Sequence, residues 1–242
     1  MIRTPFHPAG PGRFTLFGLL ACVLLPWAAH AQDAPPRPKV HLIPVTGVVE
    51  MGLAPFVERG IREAVDMGAS AVILDMDTPG GRVDSAERIV QALADSPIPV
   101  YTLVNRHAYS AGAMIAMATH TIFMRPGAVM GAATPVDGSG KKASEKMVSA
   151  MRSQMRALAE VRGLDPAVAE AMVDEDVAIE GLVEEGKLLT LTAEEAVAIG
   201  YAESAEDLTG LLIQLDLGRA EVVDVRVNWA ERMVRFLSHP IV

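Results

Sequence analysis

Cysteine, aromatic residues and basic residues are all scarce in this 242-residue chain. It contains one cysteine, 5% aromatic residues, and 21 Lys and Arg against 30 Asp and Glu. A single cysteine excludes an internal disulfide framework and a cysteine-based zinc site. The net charge of −9, without a stretch rich in Lys and Arg, argues against nucleic acid as a partner.

Hydrophobic residues, in contrast, make up half of the chain. That share excludes a disordered or collagen-like protein. A chain of this length forms one or at most two domains and can bury one sizeable core. The composition therefore describes an acidic globular protein.

The first 31 residues have the order of a secretory signal peptide. Arg3 and Arg13 supply positive charge, an apolar run covers residues 14–27, and a small-x-small cleavage site follows at residues 29–31. The alternatives are an uncleaved N-terminal anchor and lipoprotein-type cleavage before Cys22, although the apolar run continues beyond that cysteine.

We therefore predict that residues 1–31 are a signal peptide and that a Pro-rich linker follows at residues 32–39. The mature protein is expected to be exported, to the periplasm or the extracytoplasmic face of the membrane. It contains no cysteine, so a thiol nucleophile is excluded as well.

Apolar runs and helical spacing alternate along residues 40–227, which we predict to form one domain. This alternation predicts an α/β fold in which helices pack on a mainly parallel sheet. The predicted strands are residues 40–45, 69–76, 98–104 and 121–124, and the predicted helices are residues 53–67, 84–94, 110–119 and 145–162. Residues 105–109 are predicted to form a turn, and Met147, Met151, Met155 and Leu158 the apolar stripe of the longest helix.

A first candidate site is the sequence Asp-Thr-Pro-Gly-Gly at residues 77–81, after a predicted buried strand. The turn at Gly80 and Gly81 lets backbone N–H groups approach a ligand, because no Cβ is in the way. The simpler interpretation is that a turn from a strand into a helix needs these residues for steric reasons.

A second candidate site is Ser110, which a predicted helix with small residues follows directly. Ala111 and its small neighbours let a substrate approach the hydroxyl, and the unpaired N–H groups of a helix start suit a developing oxyanion. The alternative is that Ser110 only caps the helix.

A nucleophilic serine needs a base, and the candidates are histidine and lysine. His120 lies ten residues after Ser110, about 15 Å away along a helix, and is excluded. His107, three residues before Ser110, stays open. Lys146 lies in the first turn of the longest helix, with Ser144 as the predicted cap, and both the positive helix end and burial would favour the neutral amine that a base needs.

Four segments together resemble the N-terminal protease domain of the NfeD family. They are residues 77–81, residues 105–112 with their Ser-Ala-Gly motif, the Gly-Ala pair at residues 131–132 and the loop that leads to Lys146. The resemblance covers residues 40–207. NfeD proteins are membrane-associated members of the ClpP/crotonase superfamily and are related to signal peptide peptidase A.

The resemblance implies a fold of repeated β-β-α units and a serine endopeptidase with a Ser–Lys dyad. It implies Ser110 as the nucleophile, Lys146 as the base, and the amides of Gly80, Gly81 and Ala111 as the oxyanion hole. It also implies a hydrophobic peptide as substrate and a stomatin-like membrane protein as partner or substrate. Separately, we expect the protein to form a homo-oligomer, namely a dimer. No cofactor or metal is implied.

The tail at residues 228–242 is predicted to be an amphipathic juxtamembrane segment. Trp229, Met233, Phe236 and Leu237 follow helical spacing, with Arg232 and Arg235 between them. NfeD proteins of the long type continue into membrane spans and an OB-fold domain, and the tail resembles the helix before the first span. That likeness suggests a truncated chain or a split gene. The tail could instead lie at a membrane surface or pack on the core as an ordinary C-terminal helix.

Two other classes of function remain open from the residues. A crotonase-type acyl-CoA enzyme would share the fold but would not need a Ser–Lys pair. A catalytically silent scaffold that binds a stomatin-like partner is the non-enzyme alternative. Covalent labelling of Ser110 by a fluorophosphonate would distinguish the protease from both.

Overall fold

Eight strands and eight helices follow one another in the computed structural model, which describes residues 37–238. The strands are β1 (Lys39–Thr46), β2 (Ala71–Thr78), β3 (Val100–Tyr109), β4 (Ile122–Met124), β5 (Val129–Gly131), β6 (Thr190–Thr192), β7 (Glu203–Ser204) and β8 (Glu221–Asp224). The helices are α1 (Leu53–Asp66), α2 (Val83–Ala94), α3 (Ala111–Met117), α4 (Glu145–Val161), α5 (Pro166–Ala171), α6 (Ala193–Ala198), α7 (Leu208–Gln214) and α8 (Trp229–Ser238). The predicted signal peptide and most of the predicted linker lie outside the described residues.

All described strands belong to one sheet with the order β6-β5-β3-β2-β1-β8, and β4 pairs with both β3 and β7 at a branch from this order. The pair of β5 and β6 is antiparallel, and the other described pairs are parallel. Helices follow the parallel strands, as crossover connections require. The predicted α/β fold with a mainly parallel sheet is confirmed.

Apolar side chains cover both faces of the central strands. In β2, Val72, Leu74 and Met76 belong to the larger core, whereas Ala71 and Ile73 belong to a smaller core on the opposite face. A strand that is buried on both faces needs apolar residues at almost every position, which explains the continuous run in the sequence.

Strand β3 is longer than predicted, and the turn predicted at residues 105–109 is wrong. Two neighbours hold this segment in the sheet, because Ala108 pairs with Thr78 of β2 and Tyr109 pairs with Gly131 of β5. The polar side chains that suggested a turn have partners on β2, where Asn105 donates a hydrogen bond to Asp75. As a consequence, Ser110 directly follows the end of a strand.

The buried stripe of helix α4 contains Met151 and Met155, as predicted, but not Met147. Val148, Met151, Met155 and Ala159 are buried, whereas Met147 is 47% exposed. These four positions are separated by three or four residues and therefore share one face of a helix. Ser144 precedes the helix, but its side chain makes no capping hydrogen bond, so the predicted cap is wrong.

The C-terminal helix α8 is bound to the domain by ion pairs. Arg59 contacts Glu231 at 2.6 Å, and Arg235 contacts Glu50 at 2.9 Å. Its exposed apolar side chains are Trp229, Met233, Val234 and Leu237. Within residues 37–238, no helix is long and apolar enough to cross a membrane. Contact of the tail with a membrane stays a prediction.

His41 in β1 is a buried titratable group, and we expect it to couple the stability of the fold to pH. Its side chain is 1% exposed, and its Nδ1 atom has no hydrogen-bond partner within the described part of the chain. Burial lowers the pKa of His41, Glu63 opposes this shift, and Lys39 adds to it. Because the folded pKa lies below the unfolded value of about 6.5, His41 contributes stability above that pH, and the contribution is lost as the pH falls.

We therefore expect His41→Phe to reduce the loss of stability on acidification. Urea unfolding of the parent and the variant at about pH 7.5 and about pH 5.5 measures this difference. One such histidine changes the free energy of unfolding by at most about 1.4 kcal/mol per pH unit. An equal loss in parent and variant would show that His41 does not titrate with folding.

Candidate active site

Ser110 occupies a strained turn between β3 and α3. Its backbone has φ 53° and ψ −119°, in a region that non-glycine residues rarely adopt. Its N–H donates to the carbonyl of Gly131 at 2.9 Å, and its carbonyl accepts from the N–H of Ala113 at 3.0 Å. Strain of this kind costs about 1–3 kcal/mol, persists only where the surroundings impose it, and is concentrated at functional sites.

The hydroxyl of Ser110 is available for chemistry. The side chain is half-buried, and it makes no capping hydrogen bond to α3. The alternative that Ser110 serves as a side-chain cap is therefore wrong. A small side chain held at the start of α3, with the hydroxyl uncommitted, is what a nucleophile requires.

The glycine turn after β2 lies directly against Ser110. A Cβ atom on Gly80 would be 2.6 Å from the Cβ of Ser110 and 3.2 Å from the amide nitrogen of Ala111. Gly80 also has φ 96°, which favours glycine. The structure thus brings together two candidate sites that are 30 residues apart in the sequence.

Backbone hydrogen bonds fix the orientation of this turn. The carbonyl of Gly80 accepts from the N–H of Val49, and the carbonyl of Val49 accepts from the N–H of Arg82, both at 2.8 Å. The N–H groups of Gly81 and Ala111, in contrast, have no partner among residues 37–238. Two uncommitted backbone donors beside a serine hydroxyl match the requirement of an oxyanion hole.

Lys146 is the second residue of α4 and is exposed. No hydrogen bond or ion pair of its side chain occurs within the described residues, and the structure does not join it to Ser110. Lys146 is thus not buried in the described structure, contrary to the sequence-based expectation. In the preceding loop, Lys142 contacts Glu175 at 2.9 Å. The Ser–Lys dyad stays a prediction.

A cluster around Asp77 was missed by sequence reasoning. Its carboxylate contacts Nδ1 of His107 at 2.9 Å and receives a hydrogen bond from Arg106 at 2.6 Å. Burial raises the pKa of Asp77, but its hydrogen bonds with His107 and Arg106 outweigh burial and hold the pKa below its usual value. His107 is thus paired with a carboxylate and not with Ser110. No local sequence pattern indicates this cluster, because the pairing of Asp77 with His107 depends on the register of β2 and β3.

The described site offers protein groups only. Among residues 37–238, no group of three or more His, Cys, Asp or Glu side chains is arranged to hold a metal ion. What the arrangement can supply is a hydroxyl nucleophile, two amide donors and an amine on a neighbouring helix.

Comparison with known proteins relates the chain to two curated relatives. Membrane protein NfeD1b of Bacillus subtilis is 38% identical over 95% of this chain and 53% of its own length. Membrane-bound protease PH1510 of Pyrococcus horikoshii is 29% identical over 76% of this chain and 44% of its own length. The chain therefore spans about half the length of these relatives.

Solved structures agree with the fold. A lysine-to-alanine mutant of the 1510-N membrane-bound stomatin-specific protease, in complex with a substrate peptide, superposes with a TM-score of 0.72 at 26% identity. It covers 84% of this chain and 98% of its own. ClpP1 from Listeria monocytogenes, with a TM-score of 0.55 at 18% identity over 70% of this chain and 94% of its own, supports a ClpP-like fold alone.

The match to a family model covers most of the described residues. The model of the NfeD1b N-terminal domain matches residues 39–225. Within that range lie the turn at Gly80 and Gly81, Ser110 and Lys146. The chain belongs to the NfeD family, through its NfeD1b N-terminal domain.

Proposed function

We propose that this protein is a serine endopeptidase that uses a Ser110–Lys146 dyad. The observation that carries the proposal is the position of Ser110. Its backbone is strained, and within residues 37–238 its hydroxyl and the N–H groups of Gly81 and Ala111, on the two segments that meet here, have no hydrogen-bond partner. This combination has a clear chemical use in acyl transfer and no evident use in packing.

The reaction follows from these groups. Neutral Lys146 accepts the proton of the Ser110 hydroxyl, while Oγ bonds to the carbonyl carbon of the scissile peptide. The N–H groups of Gly81 and Ala111 stabilise the oxyanion, and Gly80 has no side chain that would keep the oxyanion away from them. The C–N bond then breaks, and the leaving amine takes the proton from Lys146. Water, deprotonated by Lys146, releases the acyl group and restores Ser110.

The proposal requires that Lys146 turns toward Ser110 when substrate binds. Its long side chain stands in the first turn of α4, next to the loop that contains Lys142. Solved relatives support the two residue types, because the 1510-N protease was studied as a lysine-to-alanine mutant with a substrate peptide and as a serine-to-alanine mutant.

The proposed substrate is a hydrophobic segment of a stomatin-like membrane protein. The support is the description of the 1510-N relative from Pyrococcus horikoshii as a membrane protease specific for a stomatin homologue. We further propose that the protein acts on the extracytoplasmic face of the membrane, since its first 31 residues have the order of a signal peptide.

A catalytically silent scaffold is the second candidate function. One observation favours it: Lys146 and Ser110 are not joined by a hydrogen bond within the described structure. Such a scaffold would bind a stomatin-like partner without cleaving it. A crotonase-type acyl-CoA enzyme is a third, weaker candidate, because it has no use for the amine on α4.

We expect Ser110→Ala and Lys146→Ala to abolish cleavage of a hydrophobic peptide and labelling by a fluorophosphonate probe. Lys146→Arg should be equally inactive, because a guanidinium stays protonated and cannot accept the serine proton. Single-turnover cleavage and mass spectrometry of the labelled peptide measure both effects. Ser110→Ala removes no capping bond, so its free energy of unfolding should change by less than about 0.5 kcal/mol.

The matched control for the dyad is Lys141→Ala, in the loop before α4, which should retain activity. His107→Ala tests the alternative base. Loss of cleavage in His107→Ala, with survival of Lys146→Ala and Lys146→Arg, would replace the Ser–Lys assignment by a Ser–His one. Absence of labelling in the unmodified protein would favour the scaffold.

We expect Gly80→Ala to abolish cleavage, because its methyl group would displace Ser110 or the turn and would stand at an unfavourable φ of 96°. Misplacing the donors costs about 100-fold or more in rate, and the strain costs about 1–3 kcal/mol of stability. Gly138→Ala is the control, since nothing lies within 4 Å of its added Cβ. Equal activity in the two variants would contradict the proposed geometry.

For localisation, we expect the mature protein to begin near Gln32 and to be recovered with the membrane. The exposed side chains of Trp229 and Leu237 support contact with a membrane surface. Mass spectrometry of the N-terminus checks the first point, and an intact Met1 on exported protein would contradict it. Binding to phospholipid vesicles, lost in Trp229→Ser/Leu237→Ser, checks the second.

A further inference from the structure

Thr78 is a fully buried polar residue beside the site that the proposed reaction does not use. It is the last residue of β2 and 0% exposed. Its hydroxyl donates a hydrogen bond to the carbonyl of Gly47 at 2.6 Å and accepts one from the N–H of Gly80 at 3.0 Å. One hydroxyl thus ties the exit of β1 to the glycine turn.

The methyl group of Thr78 contacts a third segment. A Cβ atom on Gly112, the second residue of α3, would lie 2.5 Å from the Cγ2 of Thr78, and the other atoms near it are at 3.8 Å or more. The methyl group therefore occupies the space that Gly112 leaves open. It sets the distance between β2 and the helix that begins directly after Ser110.

These contacts determine the direction of the oxyanion donors. The N–H of Gly80 is bonded to Thr78, and the carbonyl of Gly80 is bonded to the N–H of Val49 at 2.8 Å. The carbonyl and the following N–H of a trans peptide point in opposite directions, and the described chain has no cis peptide bond. The N–H of Gly81 is consequently directed away from Val49, and Gly80 cannot rotate while both bonds persist.

We propose that Thr78 is a positioning residue for the oxyanion hole. Its hydroxyl holds the Gly80 peptide so that the N–H of Gly81 stays available, and its methyl group sets the separation from α3. This inference rests on the proposed protease function. Thr78 does not contact the substrate and acts through Gly80, Gly81 and Gly112.

Two substitutions test the roles of the Thr78 hydroxyl and the Thr78 methyl group one at a time. Thr78→Val keeps the shape but leaves the N–H of Gly80 without an acceptor, so kcat for a hydrophobic fluorogenic peptide should fall about 10- to 100-fold. KM should change by less than about threefold, because the oxyanion forms after substrate binding. Thr78→Ser keeps the hydroxyl but removes the methyl group that packs against Gly112, so kcat should fall by about threefold, less than in Thr78→Val.

Thr102→Val is the matched control for the loss of a hydroxyl. Thr102 lies in β3, is 0% exposed, and its hydroxyl has no hydrogen-bond partner within the described structure. The same exchange at this position should leave kcat unchanged and should not lower the melting temperature. A fall of kcat at Thr78 and not at Thr102 identifies the hydrogen bonds of the Thr78 hydroxyl, with Gly80 and Gly47, as the cause.

The contact with Gly112 provides an independent test by rescue. Gly112→Ala alone should lower kcat about tenfold or more, because its methyl group meets that of Thr78. The double variant Gly112→Ala/Thr78→Ser has one methyl group in that space again and should recover kcat to within about threefold of the parent. This pair decides the question if Thr78→Val does not fold.

Labelling of the parent protein by a fluorophosphonate distinguishes failure of the proposed protease function from failure of the proposed role of Thr78. An unlabelled and inactive parent overturns the protease function, and the role of Thr78 with it. A labelled and active parent with kcat unchanged in Thr78→Val overturns the role of Thr78 alone. Failure of Thr78→Ser to rescue Gly112→Ala likewise overturns the positioning by the methyl group.

Discussion

The parallel pairing of β2 with β3 is the constraint on which the site depends. Parallel strands end at the same edge of a sheet, so the turn after β2 and the serine after β3 meet although 30 residues separate them. The close approach of Gly80 to Ser110 follows from this register. Any substitution that shifted β3 by one residue would turn its side chains to the other face and separate the nucleophile from the amide donors.

Three segments then hold the strained backbone that this edge produces. Gly131 in β5 accepts the N–H of Ser110, Val49 holds the carbonyl of Gly80, and Thr78 holds its N–H. Each bond satisfies a buried backbone group that would otherwise cost about 1–3 kcal/mol. These bonds come from three different segments, and among the described residues they leave the Ser110 hydroxyl and the N–H groups of Gly81 and Ala111 uncommitted.

The fold class is predictable from the sequence because it depends on where apolar residues occur along the chain. Residues 69–76 are apolar throughout because β2 is buried on both faces, and that pattern identifies the fold class. Other features depend on register and on backbone bonds that no local pattern contains. Residues 105–109 were predicted as a turn because they are polar, yet Asn105 is paired with Asp75 across the sheet. Thr78 stands in a turn motif of the sequence, but its hydrogen bonds to Gly47 and Gly80 depend on where β1 ends, which no local pattern contains.

The site has a fixed part and an adjustable part, and this division explains the open position of Lys146. The nucleophile and the amide donors are held by the sheet and its backbone bonds. Lys146 stands at the start of α4, after a loop in which Lys142 is paired with Glu175 at the surface. An exposed ion pair of this kind contributes about 0–1 kcal/mol and is easily exchanged. In the proposed mechanism, the contacts of bound substrate outweigh this ion pair, and Lys146 then turns toward Ser110.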